Sequence, residues 1–121
     1  MGYILIAEDD RDILLIMQRR LEMKGYETRT ASNGQAALDL AFEERPSLVV
    51  LDVMLPELDG LTVCAKIKTH FAPQPPNVIL VTARGQPAQR EEGRQAGADV
   101  YLVKPFSPRE LLQHVEALYG R

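Results

Sequence analysis

The chain has 121 residues, with 14 Lys and Arg against 17 Asp and Glu, so its formal net charge is −3. This length fits a single domain and excludes a two-domain enzyme, while 45% hydrophobic and 26% charged residues exclude a disordered acidic tail. The acidic balance argues against direct nucleic-acid binding, because affinity for a phosphate backbone depends largely on Lys and Arg.

The first half of the chain predicts two strand and helix units. In chain order they are a strand at 3–7, a helix that Gly25 ends, a weak strand at 27–30, and a helix that begins after Asn33 and that Pro46 ends. The first strand is apolar throughout, which is typical of a strand buried on both faces. The first helix is indicated by apolar residues at helical spacing, namely Ile13, Leu14, Met17 and Leu21. Asn33 has a side chain that favours the N-cap position.

The second half predicts three further units. They are a strand at 47–51 before Asp52, a helix at 61–70, a strand at 78–81 before Thr82, a polar helix at 87–96, a strand at 100–103 before Lys104, and a last helix capped by Ser107 that runs to Tyr119. The proline-rich segment 71–76 cannot continue a helix and predicts a surface connection. Five strands that alternate with five helices indicate an α/β domain whose parallel sheet is covered on both faces.

Polar side chains follow these predicted strands at their carboxyl ends. They are Glu8, Asp9 and Asp10 after the first strand, Asp52 after the third, Thr82 after the fourth and Lys104 after the fifth. In an open α/β sheet, ligands bind in the crevice beyond these ends, so we expect the side chains to meet there. Clustered carboxylates repel one another and favour a hard divalent cation such as Mg²⁺, which completes its shell with waters and phosphate oxygens.

The other strand-end residues suit phosphoryl transfer. Lys104 supplies a fixed positive charge and Thr82 a neutral hydrogen-bond donor, and phosphoryl transfer depends mostly on positioning and charge neutralisation. Asp52 is the candidate nucleophile, because carboxylates form acyl phosphates and this one stands alone at the end of a central strand. The sequence therefore predicts transient covalent storage of a phosphoryl group.

Four segments of the chain closely resemble the receiver domain of two-component response regulators. They are residues 4–10 (ILIAEDD), 51–60 (LDVMLPELDG), 81–83 (VTA) and 97–106 (GADVYLVKPF). The match spans essentially the whole chain, and its parts occur in order at predicted strand ends. The resemblance implies a flavodoxin-like (βα)5 fold with strand order 2-1-3-4-5. It also implies one receiver domain over residues 1–121, with no output domain in this chain.

The resemblance further implies a phosphorylation-controlled signalling switch. Asp52 would accept a phosphoryl group from the phosphohistidine of a histidine kinase or from a phosphotransfer protein. The cofactor would be Mg²⁺, with Mn²⁺ as an alternative, held by Glu8, Asp9, Asp52 and the backbone carbonyl of Met54. Such a module is not a turnover enzyme, since it catalyses only its own phosphorylation and dephosphorylation.

Three more residues receive a contact or switch role from the same resemblance. Thr82 and Lys104 would contact the phosphoryl group, and Lys104 would be held inward by a cis peptide bond to Pro105. Thr82 would then turn toward the phosphate while the ring of Tyr101 moves inward, which changes the partner-binding surface. Met54 and Arg84 flank the pocket, so we expect them to influence the lifetime of the phosphoryl group.

Two other functions are compatible with this kind of sheet. An aspartyl-nucleophile phosphohydrolase usually carries a second acid two residues after the nucleophile, but position 54 is methionine. A mononucleotide carrier of the flavodoxin type needs a hydroxyl-rich or glycine-rich phosphate loop after the first strand, where this chain has three acids. Both alternatives are therefore disfavoured.

Several residues have simpler interpretations. Asp10 is as compatible with a helix start, where acids are favourable, as with a metal site. Cys64 is expected to be a small core residue. His70 and His114 lack companion ligands and are interpreted as surface residues rather than metal ligands or phosphohistidines.

The resemblance places the output partner or domain on the face formed by the fourth helix, the fifth strand and the last helix. This chain keeps Arg90, Asp99 and Glu110 as candidates for the charged network through which some receivers dimerise there, but it has Val100 where an acid is common. The network is incomplete, so no dimer is assigned. Neither nucleic acid nor membrane is expected as a direct partner.

The sequence also suggests a cytoplasmic location. A single cysteine suits a reducing compartment, residues 1–3 lack the basic start of a signal peptide, and no apolar run approaches the length of a membrane span. The cognate kinase, the output partner and the choice between a stand-alone protein and an excised domain are left open by the sequence.

Overall fold

A computed structural model describes residues 2–119, so the predicted domain range of 1–121 exceeds it by Met1, Gly120 and Arg121. Within residues 2–119, five strands alternate with five helices. They are β1 (Ile4–Ala7), α1 (Arg11–Met23), β2 (Thr28–Ala31), α2 (Gly34–Glu43), β3 (Leu48–Asp52), α3 (Gly60–His70), β4 (Asn77–Thr82), α4 (Pro87–Gln95), β5 (Val100–Val103) and α5 (Pro108–Leu118).

The strands form one parallel sheet in the order β2-β1-β3-β4-β5. This confirms the predicted fold class and strand order. The central strands β1 and β3 are buried along their whole length, as their apolar sequences require. The edge strand β2 lies one residue later than predicted, at Thr28–Ala31, because its register follows its pairing with β1 and its own residues carry little pattern.

The helices cover the two faces of the sheet. Alternate residues of β1 point to opposite faces, so Leu5 and Ala7 pack with α2 and α3, whereas Ile4 and Ile6 pack with α1 and α5. Cys64 lies on the inner side of α3 and is completely buried, which confirms its predicted place in the core. Burial raises the pKa of the Cys64 thiol to about 12.

Side-chain caps fix the helix starts next to the sheet. Asn33 caps α2 and Ser107 caps α5, as predicted, while Asp59 caps α3 by accepting a hydrogen bond from the amide of Thr62 at 2.9 Å. Asp10 caps α1, since its Oδ1 accepts from the amides of Asp12 and Ile13. The helix-start interpretation of Asp10 is therefore confirmed.

Some features depend on contacts distant in sequence. The Lys104–Pro105 peptide bond is cis, as the resemblance implied, and the Ala72–Pro73 bond is also cis, which was not expected. Asp99, a candidate for the charged network, pairs within the domain with Lys68 of α3 at 2.7 Å and accepts from the amide of Val78 at 2.8 Å. Among the described residues, no helix is both long and apolar enough to cross a membrane.

Candidate functional site

Four neighbouring strands bring the predicted site residues to one edge of the sheet. Glu8 directly follows β1. Asp52 is the last residue of β3, which pairs with β1. Thr82 ends β4, and Lys104 directly follows β5, with its amide donating to the carbonyl of Thr82 at 2.7 Å. The parallel direction of all the strands is what makes these sequence-distant residues neighbours.

Lys104 joins the two buried acids of this edge. Its ammonium Nζ lies 2.8 Å from Oε1 of Glu8 and 3.3 Å from Oδ2 of Asp52. The remaining carboxylate oxygens are bound by backbone amides: Oε2 of Glu8 accepts from Asp10 at 3.1 Å, and Oδ1 of Asp52 accepts from Met54 at 3.2 Å. Both carboxylates are thus fixed in orientation, which is a requirement for a positioned nucleophile or ligand.

The buried charges alter the acid–base properties of the site. Glu8 is 1% exposed, and this burial raises the pKa of its carboxyl, although the hydrogen bond from Lys104 opposes the shift. Burial alone would lower the pKa of Lys104, but the hydrogen bond to Glu8 and the charge of Asp52 together raise it above its ordinary value. Lys104 therefore stays cationic at neutral pH.

A third acid completes a cluster suited to a metal ion. Carboxylate oxygens of Glu8, Asp9 and Asp52 lie within 4.8 Å of one another, and Asp9 is exposed while the other two are buried. Hard oxygen donors with one side open to water are the donor set that Mg²⁺ prefers, because it retains several waters. The residues therefore fit the implied ion. The Met54 amide binds Asp52, and the Met54 carbonyl stays a predicted fourth ligand.

Thr82, Arg84 and Tyr101 are linked beside this cluster. Thr82 is fully buried, and its Oγ1 accepts a hydrogen bond from the Arg84 amide at 3.1 Å. The hydroxyl of Tyr101 donates to the carbonyl of the same Arg84 at 2.9 Å. Burial raises the pKa of Tyr101, so this hydroxyl keeps its proton at neutral pH. The two predicted switch residues are therefore connected through a single peptide segment.

Sequence reasoning missed one residue that shapes the site. A Cβ on Gly60 would lie 2.2 Å from the carbonyl oxygen of Asp52, and the Gly60 amide donates to the carbonyl of Val53 at 2.9 Å. A side chain here would push α3 away from the end of β3. The Asp59-Gly60 pair at the start of a helix was the available signal, since Asp caps helices and Gly permits close approach.

An apolar groove runs from α1 to the loop after β5, next to the acidic cluster. It encloses about 490 Å³, and its walls include Ile13, Ile16, Met17, Lys104 and Phe106. Ile16 on α1 is 54% exposed.

Comparisons with known proteins agree with this geometry. Residues 4–116 match the family model of the response regulator receiver domain. The transcriptional regulatory protein SrrA of Staphylococcus aureus is 45% identical over 118 residues, which are 98% of this chain and 48% of SrrA. The chain thus spans about half the length of the curated relatives it matches.

Solved structures agree as well. The Francisella response regulator 1452 receiver domain has 32% identity and a TM-score of 0.91, with coverage of 100% of this chain and 98% of that one. The BeF3-activated DrrB receiver domain has 36% identity and a TM-score of 0.88, with coverage of 100% and 99%. A response regulator receiver from Methanospirillum hungatei JF-1 has 30% identity and a TM-score of 0.89, with coverage of 97% and 92%.

The fold and the acidic edge define a phosphorylation-controlled signalling domain. The chain belongs to the response regulator receiver domain family of two-component systems. Receiver domains bind Mg²⁺ at an acidic pocket, and this domain has an acidic cluster of Glu8, Asp9 and Asp52. The phosphohydrolase alternative is not favoured by these relationships.

Proposed function

We propose that Asp52 is the phosphoacceptor of this receiver domain. One observation carries the proposal. The carboxylate of Asp52, at the end of β3, lies 3.3 Å from the ammonium of Lys104 and belongs to an acidic cluster with Glu8 and Asp9. A carboxylate oxygen of Asp52 attacks the phosphorus of a donor phosphohistidine. The bond from phosphorus to the imidazole nitrogen breaks, the nitrogen keeps the electron pair, and an acyl phosphate forms on Asp52.

The surrounding residues neutralise the charge that this step concentrates. Lys104 is the cation already in contact with Asp52, and it remains available to a phosphoryl oxygen after transfer. Bound Mg²⁺ would supply a second neutralising charge and would be held by Glu8, Asp9, Asp52 and the carbonyl of Met54, with Mn²⁺ as an alternative. Because each carboxylate is oriented by a backbone amide or is open to solvent, little rearrangement is needed to admit the ion.

Thr82 and Tyr101 convert the phosphoryl group into a change of surface. When the Thr82 hydroxyl turns to the phosphate, the Arg84 amide loses its acceptor, and the Arg84 carbonyl is the group that holds the Tyr101 hydroxyl. The rearranged state becomes populated because the phosphoryl group makes more favourable contacts with it than with the original state. We assign the output partner to the face of α4, β5 and α5.

The phosphoryl donor is a histidine kinase or phosphotransfer protein, which acts in the cytoplasm. Its approach over the groove beside α1 is supported by the exposed Ile16 and by the nearness of Lys104 to Asp52. The module catalyses only its own phosphorylation and dephosphorylation. Position 54 carries methionine, which cannot act as a general acid in repeated hydrolysis.

Mass spectrometry of the protein after incubation with acetyl phosphate and Mg²⁺ tests the central step. We expect one added phosphoryl group in the wild type and none in Asp52→Asn or after chelation of Mg²⁺. The matched control is Asp59→Asn, because Asp59 lies in the same loop and Asn also caps helices. An adduct that persists in Asp52→Asn would overturn the assignment.

A further inference from the structure

Helix α4 is attached to the rest of the domain through very little apolar surface. Its sequence, PAQREEGRQ, is polar, and among the described residues Gly93 is the one member of the helix that is buried. A helix normally gains its stability from a buried apolar stripe, and α4 has none. Its position must therefore depend on the few contacts that Gly93 and its neighbours make.

The ring of Tyr101 occupies the space where a side chain of residue 93 would lie. A Cβ built on Gly93 would be 2.6 Å from Cδ1 and 2.8 Å from Cε1 of Tyr101, and 3.3 Å from Cδ1 of Leu80. Real Cβ atoms essentially never approach within 3.0 Å, so even alanine requires the ring or the helix to move. One turn earlier on the same face of α4, the guanidinium of Arg90 lies 5.5 Å from the centroid of the same ring.

The hydroxyl end of the ring is also fixed. The hydroxyl of Tyr101 donates to the carbonyl of Arg84, which precedes α4 in the chain. The ring therefore touches α4 at Gly93 and Arg90 and touches the segment before α4 at Arg84. Tyr101 thus links the buried point of α4 with the segment that follows Thr82.

We propose that Gly93 is the site on α4 against which the ring of Tyr101 packs, and that this contact sets the position of α4. Glycine is an unfavourable residue inside a helix, where it lowers the folding equilibrium constant about fivefold relative to alanine. Here that cost is offset because only glycine lets the ring lie against the helix backbone. When the ring moves, α4 loses its contact with Tyr101. The surface that α4 offers to a partner then changes.

This inference rests on the proposed switch role of Tyr101, but its first test needs no phosphorylation. Chemical denaturation compares Gly93→Ala in the wild type and in Tyr101→Ala. With the ring present, we expect alanine to lower the folding constant or leave it unchanged, because the clash outweighs the gain in helix propensity. Without the ring, alanine raises the constant about fivefold. The control Ala88→Gly, at an exposed position of α4, has the same effect in both backgrounds.

A gain in stability that is equal in both backgrounds overturns the proposal, because it shows that Gly93 acts only through helix propensity. The ring position gives a second readout. Nuclear Overhauser contacts between the Gly93 Hα protons and the Tyr101 ring are expected in the wild type. Their absence directly contradicts the packing of the Tyr101 ring against Gly93.

The regulatory part is tested with Mg²⁺ and beryllofluoride, which mimics a phosphoryl group. We expect the amide resonances of α4 to shift in the wild type and to shift much less in Gly93→Ala, while the Asp52 adduct with acetyl phosphate still forms in both. Equal shifts in the two proteins refute the coupling. A wild type that forms no adduct refutes the proposed function instead. The denaturation comparison then still decides whether the Tyr101 ring packs against Gly93.

Discussion

Replacement of Lys104 by methionine tests the charge balance of the site most directly. The variant keeps most of the apolar stem but removes the ammonium that lies 2.8 Å from Glu8 and 3.3 Å from Asp52. The side chains of these two acids are 1% and 6% exposed. Methionine therefore leaves two buried carboxylates next to each other without a cation.

The expected loss is large for a single substitution. Removing one partner of a buried ion pair typically costs 3–5 kcal/mol, and because the Lys104 side chain is itself 20% exposed we expect a loss near the lower limit, about 3 kcal/mol at pH 7. With an unfolding entropy of about 2.1 cal/mol/K per residue, this corresponds to a Tm lower by about 12 °C. The control is Lys66→Met on the exposed side of α3, which should change Tm little.

The loss should depend on pH with a definite sign. The pKa of Glu8 is already raised in the folded state, and without Lys104 it rises further because the opposing hydrogen bond is gone. A carboxyl with a raised folded pKa binds its proton more tightly in the folded state, so stability falls as pH increases through that pKa. The deficit of Lys104→Met is therefore smaller at pH 5 than at pH 7.

Urea unfolding of the wild type and both variants at pH 5 and pH 7 provides the measurement. Added Mg²⁺ should recover part of the deficit of Lys104→Met, since a bound cation stabilises the folded state that holds it. The reasoning is refuted if the deficit is the same at both pH values, or if it does not exceed that of Lys66→Met.

Four further predictions concern other parts of the molecule. Asp9→Asn should weaken Mg²⁺ binding roughly tenfold, measured by calorimetry, and unchanged affinity would remove Asp9 from the metal site. Arg84→Ala should speed loss of the phosphoryl group, because we expect the exposed Arg84 side chain, which lines a cavity together with Met54, to shield that group from water; an unchanged decay of the adduct contradicts this role. Cys64, with a thiol pKa of about 12, should resist a disulfide reagent at pH 8 until the chain unfolds; rapid labelling of the native protein would contradict its burial. Tyr3→Phe removes the hydroxyl that donates to the carbonyls of Leu40 and Glu44 and should cost about 1 kcal/mol in urea unfolding.

Much of the fold could be predicted from local patterns. The apolar strands β1, β3 and β4 and the caps at Asn33 and Ser107 are visible in sequence, because burial and capping impose residue types at short spacing. The edge strand was placed one residue early, because its polar residues do not define which of them pair with β1. The cap at Asp59 was not predicted, although an Asp directly before a helix is itself a capping signal.

The sequence by itself determined which chemical groups meet at the site: acids after the first and third strands, a hydroxyl after the fourth and a lysine after the fifth. That result follows because all strands of a parallel sheet present their carboxyl ends at one edge. Only the tertiary structure decided how the groups are used. It joined Lys104 to both Glu8 and Asp52, assigned Asp10 to a helix cap, and committed Asp99 to Lys68. These outcomes depend on distances of a few ångströms between residues up to 96 positions apart, which no local pattern encodes.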